Sequence, residues 1–190
     1  MAHALLQTVA GTTYADYKAW ELKPGERYEL IHGEAYAMSA PSTVHQLILA
    51  DMMRQITAFL FGKRCRAIPA PYDVRLFPEK DESDDTVVQP DISVICDGEK
   101  LGKEGCLGAP DFVVEILSPS NTHAEMSRKF HLYRKAGVRE YWVVNGEDRT
   151  VVVHLFEGDA IISRIYREKE TVASAAVEGL SVELAPVFAG

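Results

Sequence analysis

Residues 112–117 read Phe112-Val113-Val114-Glu115-Ile116-Leu117, an apolar run interrupted by one carboxylate, and residues 141–144 read Tyr141-Trp142-Val143-Val144. Strands covered on both faces read as near-continuous apolar runs, whereas half-exposed strands alternate. Both runs are therefore expected to be central strands. Between them, Ser120 to Ala136 has a helical pattern that stops at Gly137, the residue type favoured just past a helix end.

Toward the amino terminus, Thr86 to Cys96 and Arg66 to Phe77 are strand-like, the second broken by Pro69 and Pro71. Before them Val44, Leu47, Ile48, Met52, Ile56, Phe59 and Leu60 recur at helical spacing up to Gly62, with Ser42 or Thr43 as N-cap. Arg27 to Ile31 and Ala35 to Ser39 flank His32-Gly33-Glu34 and read as a β-hairpin. Thr12 or Thr13 caps a short helix through Tyr14, Tyr17 and Trp20, closed by Pro24 and Gly25. Toward the carboxyl terminus, Arg139 to Asn145, Thr150 to Phe156 and Ala160 to Arg167 are further strands.

This order implies a mixed sheet with packed helices rather than a repeating barrel, so the class is α/β bordering on α+β. No linker or internal repeat divides the chain, and residues 1–190 are expected to form one domain with residues 1–12 as an arm. At 47% hydrophobic and 25% charged, the chain can bury about 70% of the surface its unfolded form exposes. Cys65, Cys96 and Cys106 are an odd count with no CxxC spacing, so neither a disulfide framework nor a tetrahedral zinc site is expected, and a reducing, cytoplasmic setting fits. Residues 1–12 lack a signal-peptide pattern and no segment offers ~18 uninterrupted apolar residues, so no membrane partner is expected.

Glu115 is the residue that packing does not explain. An unpaired ionised carboxylate inside an apolar strand costs several kcal/mol, so it must be protonated, paired or bound to a cation. Pro90-Asp91 opens the run Ile92-Ser93-Val94-Ile95-Cys96, and if the two strands are neighbours the carboxylates of Asp91 and Glu115 converge. Such a pair suits Mg²⁺, whose shell takes one or two protein carboxylates. The structural alternatives are a salt bridge from Glu115 to Lys129 or Arg128 and a turn role for Asp91. Lys129 lies on or beside the sheet-facing side of its helix, or forms an exposed i,i+4 pair with Glu125 worth about 0.2–0.5 kcal/mol. Arg128, Arg134, Lys135 and Arg139 make this the most basic stretch, a solvated face or a footprint for phosphate. His45, at the edge of an apolar helix face, reads as structural or as lining a site, and Glu29 in the hairpin is equally divided. GxGxxG, GxxxxGK[ST], HExxH and GxSxG are all absent, which sets aside dinucleotide enzymes, P-loop NTPases, zincins and α/β-hydrolases. Cys106 and His123 lie in separate loops and are not read as a nucleophile and base.

Together, Pro90-Asp91, Val114-Glu115-Ile116-Leu117-Ser118-Pro119-Ser120, Lys129, Tyr133 and Gly137-Val138-Arg139-Glu140-Tyr141-Trp142 resemble the Uma-type restriction endonucleases, a branch of the PD-(D/E)XK nuclease superfamily. The resemblance extends to Tyr28-Glu29-Leu30-Ile31-His32-Gly33-Glu34, to Pro41-Ser42 with His45, and to Gly179-Leu180-Ser181-Val182-Glu183-Leu184. It implies a restriction-endonuclease-like mixed sheet flanked by helices, with an N-terminal hairpin and extra C-terminal strands. It also implies a Mg²⁺ or Mn²⁺ site formed by Asp91, Glu115 and the carbonyl of Ile116. The superfamily lysine two positions after the second carboxylate is here Leu117, and Lys129 on the next helix is the matching position. Tyr133, Glu29 and His45 are then expected to line the site.

The expected activity is metal-dependent hydrolysis of DNA phosphodiesters, with Asp91, Glu115 and Lys129 catalytic. The alternative is a catalytically weakened nuclease-fold module that binds nucleic acid or a protein partner. A homodimer follows from the task, since cutting both strands of a duplex calls for two sites. The net charge of −8 argues against a whole-protein clamp on DNA, but residues 79–85 hold five acids and one base. That loop reads as a solvated connection and removes half of the imbalance.

Overall fold

Three helices begin where a short polar side chain takes up a free backbone N–H. Thr13 caps α1 (Tyr14–Lys18), Ser42 caps α2 (Thr43–Leu60) and Thr122 caps α3 (His123–Ala136). Gly137 ends α3 at φ 92°, as its position in the sequence predicts. The computed structural model describes residues 11–189, so residues 1–10 of the expected arm lie outside the described residues. α1 is shorter than its apolar spacing suggests: it stops at Lys18, and Trp20 lies beyond it, edge-on to Tyr28 at 5.9 Å.

β1 (Tyr28–Ile31) and β2 (Glu34–Ala37) form the expected hairpin. The later strands are β3 (Arg66–Pro69), β4 (Val74–Arg75), β5 (Val87–Val88), β6 (Ile92–Ile95), β7 (Cys106–Leu107), β8 (Phe112–Ile116), β9 (Glu140–Asn145), β10 (Thr150–Glu157), β11 (Ala160–Arg167), β12 (Thr171–Ala173) and β13 (Ser181–Glu183), followed by α4 (Leu184–Val187). They make a six-stranded sheet in the order β11-β10-β9-β8-β6-β3, a five-stranded sheet β2-β1-β5-β4-β7, and the pair β12-β13. β8 and β9 run parallel, with α3 as their crossover, while β6 pairs with β8 antiparallel.

Two runs that read as single strands are each divided between the sheets. Arg66 to Phe77 becomes β3 in the larger sheet and β4 in the smaller, and Thr86 to Cys96 becomes β5 and β6. Pro71 and Pro90 lie at the breaks, where a residue without an N–H cannot continue a ladder. This crossing brings the hairpin up against the larger sheet.

The central strands β8 and β9 of the larger sheet are buried on both faces, as the apolar runs predict. Phe112, Val114, Trp142 and Val144 pack with Ile48, Met52 and Ile56 of α2. Val113 and Tyr141 pack on the opposite face with Leu132 and Tyr133 of α3. Full burial of an aliphatic side chain of this size contributes about 1.5–3 kcal/mol.

Two expectations are corrected. Cys65 and Cys96 are disulfide-bonded. They are 31 residues apart in sequence, but β3 and β6 pair Arg66 with Ile95, and Cys65 and Cys96 are the next opposed pair in that register. The cysteine count therefore no longer supports a reducing setting. The acidic loop is also not wholly solvated: Asp84 is buried and forms a two-pronged ion pair with Arg75, whose guanidinium lies 4.1 Å from the Tyr14 ring centre.

Candidate functional site

The antiparallel register of β6 and β8 opposes Ile92 and Val114, so Asp91 and Glu115 form the next facing pair at the strand ends. Asp91 is fixed there because its Oδ2 accepts the Ile116 N–H at 2.7 Å. Side chains alternate along β8, and Glu115 shares the face of Val113, on which α3 lies. Lys129 and Tyr133 are one helical turn apart on α3 and meet it from above. Lys129 Nζ donates to Glu115 Oε1 at 2.9 Å and to Glu29 Oε1 at 3.0 Å, and the Tyr133 hydroxyl donates to Glu115 Oε1.

Glu29 arrives from β1 in the other sheet and is held by the Gln89 N–H at 2.9 Å. His45, in the first turn of α2, places Nε2 3.3 Å from Asp91 Oδ1. The structure thus brings together all six residues singled out in the sequence: Asp91, Glu115, Lys129, His45, Glu29 and Tyr133. The salt bridge offered as the alternative explanation of Glu115 is present as well, so ion pair and cluster are the same object. The exposed Glu125–Lys129 pair does not form. Lys129 is 4% exposed, and Glu125 instead accepts from the Asn121 side chain at 2.8 Å.

Three carboxylates and one ammonium, largely buried at the wall of a cleft, set the electrostatics. Burial pushes the Glu115 carboxyl up to about 7; the Lys129 ammonium opposes this, and the charges of Asp91 and Glu29 reinforce it. Burial works against the Lys129 ammonium, but Glu115 and Glu29 outweigh it and hold its pKa well above the ordinary value. Lys129 therefore stays charged near neutral pH and does not act as a base. Burial also disfavours His45 imidazolium, yet its hydrogen bond to Asp91 and the charges of Asp91 and Glu115 leave its pKa raised.

The cluster opens on a cleft of about 320 Å³, lined in addition by Arg27, Tyr36, Ser118, Asn121 and Arg128. Sequence reading missed Arg27, Asn121 and Gln89, which carry no pattern; Gln89 directly precedes Pro90-Asp91, the one local hint. The basic stretch of α3 does not form one footprint. Arg128 reaches the cleft over the Tyr36 ring at 4.3 Å, Lys129 is buried, Arg134 bonds the Asp159 carbonyl and Arg139 pairs with Asp111. Cys106 lies in β7 and His123 begins α3, rather than in loops. Burial pushes the Cys106 thiol up to about 11, which removes it as a nucleophile.

Among the described residues no group of three or more His, Cys, Asp and Glu has the geometry of a ready-made metal cage. The donor set still fits a hard cation that keeps most of its waters. Glu115 Oε1 is taken by Lys129 and Tyr133, but among the described residues Oε2 has no protein donor and Asp91 Oδ1 faces only His45. Two carboxylates and a backbone carbonyl are the oxygen ligands Mg²⁺ accepts. No described helix is long and apolar enough to cross a membrane.

The described fold is similar to a crystal structure of a "putative nuclease belonging to DUF820" from Anabaena variabilis, with a TM-score of 0.75 and 19% identity over 93% of this chain and 97% of that one. In sequence, the chain is 28% identical over 118 residues to "Uncharacterized protein slr1290" of Synechocystis sp., a match covering 62% of this chain and 60% of that relative's length. Residues 14–186 match the model of the Uma2 family, described as "Putative restriction endonuclease". With nearly the whole chain inside that match and a nuclease-like fold around it, this protein belongs to the Uma2 family.

Proposed function

We propose that the cleft hydrolyses phosphodiester bonds of DNA, with Mg²⁺ or Mn²⁺ held by Asp91, Glu115 and the carbonyl of Ile116. The observation that carries this reading is the convergence of Asp91, Glu115 and Lys129 on one wall of one cleft. A bound cation would lower the pKa of a coordinated water and offset charge on the scissile phosphate. The remaining work falls to the chain's own groups. Lys129, fixed by two carboxylates and permanently charged, supplies positive potential where negative charge develops. Tyr133 and the Ile116 N–H orient Glu115 and Asp91, and His45 Nε2 steadies the second oxygen of Asp91. Arg27 and Arg128 on the rim offer charge to flanking phosphates, against an acidic surface that makes binding weak without a cation and sensitive to salt.

Asp91→Asn and Glu115→Gln keep side-chain shape and remove the ligand charge. Incubated with plasmid and branched DNA in Mg²⁺ or Mn²⁺, both variants are expected to lose cleavage, and wild-type cleavage by either overturns the proposal.

One observation favours a second reading. Leu117 stands where the superfamily lysine is expected, and Lys129 is clamped from two sides, which suits a non-catalytic nucleic-acid or protein-binding module. Isothermal titration with Mn²⁺ separates the two, because a binding module has no need of a cation at Asp91 and Glu115.

A further inference from the structure

The outer edge of the six-stranded sheet is β11, eight residues long and paired along its whole length with β10. Its other side has no partner strand among the described residues. Such edges are usually blunted by proline, bulges or short length. β11 has no proline and an unbroken register, and Ile161, Ile162 and Ile165 stand on it 41%, 50% and 56% exposed.

Which backbone groups face outward follows from the hairpin. Gly158 and Asp159 are a two-residue connection closed by the pair Glu157 and Ala160. The pair flanking such a loop is hydrogen-bonded, and hydrogen-bonded pairs recur at every second residue. The opposite side of β10 agrees: Phe156 N–H donates to the Arg139 carbonyl at 3.0 Å, so even-numbered residues of β10 serve β9 and odd-numbered ones serve β11. In β11, Ala160, Ile162, Arg164 and Tyr166 therefore bond inward, and Ile161, Ser163 and Ile165 present their N–H and C=O groups to the open edge, while the N–H and C=O of Arg167 are taken by Glu170.

We propose that this edge pairs antiparallel with the same edge of a second copy, about a two-fold axis through Ser163, joining two six-stranded sheets into one. Outward-facing residues must oppose outward-facing residues, so with near-full overlap the axis passes through Ser163 or through Arg164. An axis at Arg164 sets that residue opposite the partner's Arg164, in a pair whose Cα atoms are only about 4.5 Å apart, and like charges so placed repel. An axis at Ser163 sets Ile161 opposite the partner's Ile165 and Asp159 opposite the partner's Arg167, each twice by symmetry. The side chains of Asp159 and Arg167 have no hydrogen-bond or ion-pair partner in their own chain among the described residues; only their backbone atoms are engaged. The edge thus carries an acid at one end and a base at the other, with Ile161 and Ile165 flanking Ser163 between them, which makes it complementary to itself when reversed. This holds whatever chemistry the cleft performs, so a dimer without cleavage or a cleaving monomer would separate the two proposals.

Ser163→Cys tests the register. Facing Cα atoms in a hydrogen-bonded pair lie about 5.5 Å apart, within the range of about 4.4–6.8 Å that a disulfide spans. Cys65 and Cys96 are already bonded and Cys106 is buried, so no native thiol competes. Mild oxidation is expected to give a covalent dimer of S163C on a non-reducing gel, while Arg164→Cys, diagonal to its symmetry mate, stays monomeric. In sedimentation the wild-type mass should rise with concentration from 21.1 kDa toward twice that value. Asp159→Arg should weaken association by about tenfold or more, and adding Arg167→Asp should restore it. A wild-type monomer at every concentration up to ~1 mM, cross-linking of R164C as readily as S163C, or failure of the double charge swap to restore association each overturns the proposal.

Discussion

Replacing Lys129 with Met keeps the length and volume of the side chain and deletes only the ammonium, so it isolates the electrostatics of the cluster. Lys129 Nζ lies 2.9 Å from Glu115 Oε1 and 3.0 Å from Glu29 Oε1, so those two oxygens are no more than about 6 Å apart. At an effective dielectric constant of about 20, two unit charges at that distance repel by about 3 kcal/mol. Removing one partner of a buried pair costs about 3–5 kcal/mol. We expect K129M to lose about 3–5 kcal/mol of stability at pH 8. The loss should depend on pH with a definite sign. The Glu115 carboxyl, already raised from 4.5 to about 7, rises further without the ammonium. A raised carboxyl pKa means that the folded state holds a proton the unfolded state has released. Stability then falls as pH climbs from 4.5 to the folded value and returns on acidification. At pH 5 Glu115 is protonated in both proteins and the repulsion is absent; because the wild-type carboxyl already titrates at about 7, only the window from 7 to 8 separates the two proteins, and the deficit of K129M should shrink by about 1 kcal/mol. Urea unfolding, followed by fluorescence of the buried Trp142 at both pH values, measures it. A deficit under about 1 kcal/mol at pH 8, or equal deficits at the two pH values, would refute this reasoning.

Tyr133→Phe removes the hydroxyl that fixes Glu115 without touching the cleft oxygens; titration with Mn²⁺ should show an affinity about 10–100-fold weaker than wild type. Glu140→Gln turns an amide toward the donors Trp142 Nε1, Ser174 Oγ and the Ala176 N–H, and should lower the unfolding free energy by about 1–3 kcal/mol while leaving DNA cleavage intact. His154 has its pKa lowered by burial, so the neutral ring is the folded form and its contribution is lost as pH drops below about 6.5. His154→Phe, which keeps a ring against Phe130, should flatten the stability difference between pH 5 and pH 7 in thermal unfolding.

Much of the fold is written locally. Caps at Thr13, Ser42 and Thr122, the stop at Gly137 and the hairpin around Gly33 depend on residues within a turn of each other, and a single sequence displays them directly. The doubly covered strands β8 and β9 are legible because burial on both faces removes polar residues. Strand partnership is not local. Whether Arg66 to Phe77 is one strand or two in different sheets turns on which distant chain offers an open edge, and the prolines mark only that a break occurs. The Cys65–Cys96 bond was hidden for the same reason, since it follows from the register of β3 on β6.

Glu115 and Glu140 show where sequence stops. Each is a carboxylate next to an apolar run on a central strand, and each is buried. The sequence by itself determined that Glu115 needs a partner, because desolvation penalises an unsatisfied carboxylate inside an apolar strand, whereas nothing in the sequence singled out Glu140. Only the tertiary structure decided which partners they have. Glu140 is satisfied by Trp142, Ser174 and Ala176, all neutral donors, and packs as structure. Glu115 meets Lys129, Tyr133 and the charges of Asp91 and Glu29 at the wall of a cleft. The difference arises because Glu29 comes from the second sheet and Lys129 from a helix beyond the strand, so the charge cluster exists only once two sheets and two helices have been packed together.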